Sequence, residues 1–174
     1  MYDEKFMRRA IDLSAEALAT PGTEPFGAVI VRSGAIVGEG FNHALARYDP
    51  TAHGEVEAIR DACRRLRSFD LSGCELYTSC EPCALCVATM SVVGITRMYH
   101  AAAMSHVGHA FARLTTTDRH PIDPDVLRAE AGALVADRRV RSEQHEAAKA
   151  RAILEAWAQQ QLARRVQKPH PPSC

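Results

Sequence analysis

The sequence predicts an α/β protein: a central mixed sheet with helices packed on both faces, a three-layer α/β/α sandwich. Three observations lead there. Amphipathic helical patterns alternate with short β-branched runs, in the order helix, two strands, helix, strand, helix, strand, then helical material. The run Phe26-Gly27-Ala28-Val29-Ile30-Val31, followed by the turn Ser33-Gly34 and by Ala35-Ile36-Val37-Gly38, reads as a β-hairpin buried on at least one side. The chain has 174 residues, 47% hydrophobic and 24% charged, which suits one domain with a real core.

Each element has its own warrant. Phe6, Met7, Ala10, Ile11, Ser14, Ala17 and Leu18 recur at helical spacing, so a helix is expected over roughly residues 3 to 19, stopped by Thr20-Pro21-Gly22. Gly38, Gly40 and Asn42 close the second strand and begin a loop. Asp49 or Thr51 is placed to cap the next helix, whose stripe is Val56, Ile59, Cys63 and Leu66. His53 and Glu55 then fall in its first turn. Ser72-Gly73 breaks the chain before a strand at Cys74-Glu75-Leu76-Tyr77-Thr78. Pro82 suits the start of a helix, where it has no N–H to lose. Thr96 to His100 is a fourth strand. A short helix is expected from Val126 to Val135, and Ala150, Ile153, Leu154 and Trp157 form a stripe in the charged segment from Ser142 to Arg165, read as packing. The chain is expected to be a single domain over 1–174, with a core at about 3–112, a C-terminal helical segment at about 122–166 and a frayed tail at 167–174.

Composition narrows the function. Lys plus Arg and Asp plus Glu are each 21, for a formal charge of +0, so a dedicated nucleic-acid binder is not expected. The charged start Met1-Tyr2-Asp3-Glu4-Lys5 is unlike a signal peptide, and no apolar run reaches the length of a membrane span. Six cysteines in such a chain point to reduced thiols, metal chemistry and a cytoplasmic location.

The chemistry centres on His53-Gly54-Glu55, answered about thirty residues downstream by Pro82-Cys83-Ala84-Leu85-Cys86. One histidine and two cysteines offer a metal three ligands, and a catalytic Zn2+ keeps the fourth tetrahedral position for water or hydroxide, one ion per chain. Cys83 and Cys86, three apart, face the same way, and a helix N-terminus favours their thiolates. Glu55, two residues from His53, is the natural base. Other readings stand beside this one. Cys80 or His100 would close a purely structural zinc site; Cys80, Cys83 and Cys86 resemble an iron–sulfur run but lack the further Cys before Pro. His106 and His109 are spaced as a second metal pair but read as surface histidines. Cys63 and Cys74 read as core, and Arg138, Arg139, Arg141, Arg164 and Arg165 as a solvated face.

H-x-E paired with P-C-x-x-C is the signature of zinc-dependent nucleobase deaminases. With Pro25 to Val31, Asn42, Asp49-Pro50-Thr51-Ala52-His53 and Thr78-Ser79-Cys80-Glu81-Pro82-Cys83, the chain resembles the cytidine deaminase-like superfamily over about residues 5 to 103. Within it the chain is similar to bacterial guanine deaminases and, through the same core, to tRNA adenosine deaminases. The resemblance implies the three-layer sandwich of the cytidine deaminase type, zinc on His53, Cys83 and Cys86, Glu55 as proton shuttle, substrate contacts from Asn42 and Phe26, and a homodimer. It implies hydrolytic removal of ammonia from a small amino-heterocycle, guanine first, with cytosine, isoguanine or a triazine as other rings. Adenosine in tRNA is the second reading, and a non-catalytic zinc-stabilised binding module the third. The chain departs from the pattern twice: Gly54 stands where guanine and tRNA deaminases mostly carry Ala, and Ala110 to Leu114 lacks the carboxylate that guanine deaminases place there. Asp118, Glu143 or a residue of a partner subunit are the candidates to replace it.

Overall fold

A computed structural model describes residues 2–116 and 122–166 of the chain. Two compact units divide it, Met1–Gly132 and Ala133–Cys174.

The first unit begins with helix α1 (Glu4–Ala15), whose N-terminal Asp3 carboxylate accepts the Lys5 N–H. Phe6, Met7, Ala10 and Leu13 are buried. Ile11 and Leu18, expected in that stripe, are 44% and 87% exposed. For Leu18 the reason is a change of pitch: the helix tightens into a 3-10 turn at Glu16–Leu18, which rotates later side chains off the buried face. Ile11, within α1, sits at the edge of the stripe that Phe6, Met7, Ala10 and Leu13 bury. Strands β1 (Glu24–Arg32) and β2 (Ala35–Asn42) form the expected hairpin, with Ser33 and Gly34 at φ 51° and 76° in the tight turn.

After a short helix α2 (Ala44–Arg47) comes α3 (Gly54–Leu66), then β3 (Glu75–Cys80), α4 (Ala84–Val92), β4 (Arg97–Ala102), α5 (Met104–Phe111) and α6 (Pro124–Gly132). The sheet order is β2-β1-β3-β4. β1 runs antiparallel to both β2 and β3, while β3 and β4 are parallel across α4, so the sheet is mixed as expected.

Alternate residues of the central strands build two cores. Ala28, Ile30 and Leu76 pack with Ala58, Ile59, Ala62 and Met90 of α3 and α4. Val29, Val31 and Tyr77 pack on the other side with Phe6, Met7, Ala10 and Leu13 of α1. The hairpin strand is therefore covered on both faces, and the three layers are α1, sheet, and α3 with α4. Each large side chain buried in this way contributes about 1.5–3 kcal/mol of transfer free energy.

The second unit carries α7 (Ala147–Val166). Its stripe does not pack as expected: Ile153, Leu154 and Trp157 are 71%, 69% and 62% exposed. Arg138, Arg139, Arg141 and Arg164 are exposed, in keeping with a solvated face. No helix among the described residues is long and apolar enough to cross a membrane.

Candidate active site

The site lies where β3 ends and two helices begin. His53 is the residue before α3 and Cys83 the residue before α4; both have extended backbone, and neither side chain caps its own helix. Such positions usually hold Ser, Thr, Asp or Asn that turn back to the backbone. Here the side chains turn to each other instead. The expected caps Asp49 and Thr51 are occupied elsewhere: Asp49 accepts the Thr51 N–H and hydroxyl and pairs with Arg60, which also donates to Thr51. These bonds hold the loop that delivers His53.

Cys83 Sγ and Cys86 Sγ each lie 3.5 Å from His53 Nδ1, and 3.7 Å from one another. A tetrahedral zinc with bonds of about 2.3 Å to sulfur and about 2.0 Å to nitrogen spaces its ligands by about 3.5 Å (N to S) and about 3.8 Å (S to S). The donor set therefore fits the ion in type and in spacing. The three ligand atoms form one group within 4.8 Å; neither Cys80 nor His100, either of which would close a structural site, is in it. Cys63, Cys74, Cys80, Cys83 and Cys86 form no disulfide.

Among the protein groups alone, Cys83 is the donor driven to its ligand form, the thiolate. A hydrogen bond from Cys86, aided by the His53 ring, lowers the Cys83 thiol to about 4. In turn the Cys83 sulfur raises His53. Cys86, beside Cys83 and buried next to Glu55, is pushed up and keeps the shared proton. Two positive helix ends meet here and favour negative sulfur.

Glu55 is 5% exposed. Its Oε1 accepts the Thr78 hydroxyl at 3.2 Å and its Oε2 the Cys86 thiol at 3.3 Å. Burial pushes its carboxyl up, toward the range a neutral-pH proton carrier needs. Close approach of strand and helix sets this geometry. A Cβ on Gly54 would stand 2.2 Å from the Phe26 carbonyl oxygen, so only glycine lets α3 start this near β1.

A pocket opens on the group and is lined by His53, Glu55, Cys83 and Cys86 together with Asn42 and Phe26. All six expected site residues thus share one cavity. Sequence reasoning missed Glu24, Glu81, Met104 and Val107, which also line it. Met104, Val107 and Phe111 recur at helical spacing, a signal that would have found α5. Phe111 meets Phe26 edge-on at 6.1 Å, and Glu81 accepts the Met104 N–H at 2.9 Å, fixing α5 over the pocket. Cys80 is packed and buried, its thiol pushed up to about 11 by burial. His106 accepts the Ala103 N–H at 3.0 Å, and both it and His109 are exposed. Of the candidates for a replacement carboxylate, Asp118 lies outside the described residues and Glu143 is exposed in the second unit.

The family model described as the cytidine and deoxycytidylate deaminase zinc-binding region matches residues 1–102. The guanine deaminase of Bacillus subtilis is 43% identical over 110 residues, 63% of this chain and 70% of that protein. A tRNA-specific adenosine deaminase of Haemophilus influenzae is 33% identical over 134 residues, 76% of each chain. The X-ray structure of the Bacillus subtilis guanine deaminase matches with a TM-score of 0.78 and 31% identity over 99% of both chains.

Proposed function

The chain belongs to the cytidine and deoxycytidylate deaminase family, and on that premise we propose that it hydrolyses a free amino-substituted base, guanine first, and releases ammonia. The observation that carries the reading is the buried Glu55 carboxylate placed against three donors spaced for zinc. His53, Cys83 and Cys86 would hold the ion, which when bound would supply a water activated near neutral pH.

Glu55 takes a proton from the attacking water and delivers it to the ring nitrogen beside the amino-bearing carbon. A second proton passes from the new hydroxyl through the same carboxylate to the amine. The carbon–nitrogen bond breaks, ammonia leaves, and the carbon keeps the water's oxygen as a carbonyl. Thr78 holds one carboxylate oxygen throughout. The pocket opens on Glu55, which is itself buried, so the carboxylate meets a bound ring away from most of the solvent. Phe26 offers a flat face to the ring, and Asn42 a donor and an acceptor to its polar edge.

A second reading, adenosine in tRNA, rests on the 33% identity with the Haemophilus influenzae enzyme. The further expectations are a homodimer that works in the cytoplasm on a small molecule, without nucleic acid. Light scattering of the purified chain tests the dimer.

Ammonia release by the zinc-loaded protein from guanine, cytosine, adenine, isoguanine, a triazine, cytidine, guanosine and adenosine tests the main reading. Strong release from guanine supports it. Silence on every free base, with inosine formed in a tRNA anticodon stem-loop, moves the assignment to the second reading.

A further inference from the structure

Glu24 lines this site, and neither the zinc group nor the proton relay uses it. Its position depends on a break in the hairpin. From Gly27 to Ile30 β1 and β2 pair residue by residue, but Glu24 sits opposite Asn42 while Gly27 sits opposite Phe41. Three steps along β1 therefore answer one step along β2. The extra residues, Pro25 and Phe26, form a bulge, and bulges of this kind re-aim side chains beside active sites. Proline is tolerated there because it breaks no ladder bond that the bulge has not already broken. Both Glu24 and Phe26 thereby reach the cavity.

The consequence falls on Asn42, which is 2% exposed. Its Nδ2 donates to Glu24 Oε2 at 3.2 Å, and its Oδ1 accepts the Ala44 N–H at 2.9 Å. A carboxylate only accepts and a backbone N–H only donates, so the two partners impose one orientation on the amide. One Asn42 N–H then remains for a ligand. An ionised acceptor on the same nitrogen polarises that remaining donor.

We propose that Glu24 is a positioning residue for substrate selection: it locks Asn42 so that the pocket presents a polarised N–H, which selects rings carrying a carbonyl oxygen or an unprotonated ring nitrogen at that point. The choice of substrate rests on the deaminase reading; the lock itself does not. In the sequence Glu24 belongs to no motif, because its partner is 18 residues away across the hairpin.

The test compares zinc-loaded wild type with Glu24→Ala, Glu24→Gln, Asn42→Ala and the Glu24→Ala/Asn42→Ala double variant. Ammonia release is measured on the base the wild type prefers. Glu24→Ala is expected to raise KM about 10- to 100-fold, the range for losing a charge-assisted hydrogen bond, with kcat changed less. Glu24→Gln, whose carbonyl oxygen still accepts from Asn42, is expected to recover most of that loss. In the Asn42→Ala background, removing Glu24 is expected to cost little more, since a residue that acts through Asn42 has nothing left to act on. Additive losses, or a Glu24→Ala KM within about twofold of wild type, overturn the proposal.

A second readout needs no substrate. In nitrogen–proton NMR spectra the Asn42 side-chain amide should lose its downfield proton in Glu24→Ala and retain it largely in Glu24→Gln. An unchanged Asn42 amide in both variants overturns the lock. If no free base is turned over, the deaminase reading for free bases fails, and this spectrum still decides the role of Glu24. Should Glu24→Ala fail to fold, Glu24→Leu, closer in volume and unable to accept from Asn42, takes its place in the cycle and in the spectrum.

Discussion

Replacing Glu55 by Gln should separate the zinc group from the chemistry. The substitution keeps shape and volume. A Gln carbonyl oxygen can still accept the Thr78 hydroxyl now 3.2 Å from Glu55 Oε1. The buried carboxylate becomes a neutral amide, which relieves the desolvation that raises Glu55 in the wild type, so stability should hold or rise slightly. His53, Cys83 and Cys86 are untouched, and zinc content should stay near one per chain. What disappears is the proton carrier. General acid–base catalysis is worth about 10² to 10⁴ per positioned group. Glu55 serves both transfers, so kcat should fall by at least about 10³, equal to about 4 kcal/mol of barrier. The assay is steady-state ammonia release beside metal analysis and thermal unfolding of the same preparation. A Gln variant that keeps its zinc and works within about tenfold of wild type would refute the role given to Glu55.

Three other outcomes follow from the same geometry. Chelation should lower the Tm by about 5–10 °C, because an ion present at a hundredfold excess over its Kd stabilises by about 2.7 kcal/mol, and Cys86→Ala should abolish that difference; equal melting with and without chelator in the wild type would count against a zinc that supports the fold. Gly54→Ala would press a methyl group against the Phe26 carbonyl, and backbone must move, so urea unfolding should show a loss of about 1–3 kcal/mol together with reduced kcat; an unchanged midpoint and rate would show that α3 has room. The Arg9 guanidinium grips Glu39 through two bonds, of 2.7 and 3.1 Å, and holds its carboxyl below the ordinary 4.5. A lowered folded value means the stabilisation is present above 4.5 and is lost as pH falls through the folded value. Glu39→Gln should therefore cost about 0.5–1 kcal/mol at pH 7 in this partly exposed pair, and the cost should shrink as the pH falls below 4.5 and through the folded value; a difference independent of pH would sink that reading.

Much of the fold was legible because its signals are local. The pitch of α1, the β-branched run of β1 and the Ser33-Gly34 turn each express the preferences of adjacent residues. The ends were less legible. Leu18 reads as apolar stripe, but the 3-10 turn at Glu16–Leu18 turns it to solvent, and that turn has no sequence signature of its own. Asp49 reads as a helix cap by residue type, yet its oxygens are taken by Thr51 and Arg60, and His53 takes the capping position.

The candidate zinc donors and Glu55 were legible in the sequence itself, since His, Cys and a carboxylate are residue types that bind such an ion or carry a proton, and their spacing puts each pair on one helix start. Tertiary structure decided the rest of the site. The sheet brings His53 and Cys83, 30 positions apart, to 3.5 Å. The bulge at Pro25 and Phe26 turns Glu24 onto Asn42, and the missing Cβ of Gly54 lets α3 reach β1. These depend on strand register and on the distance between layers. Both are set by the packing of the whole core, which no stretch of neighbouring residues encodes.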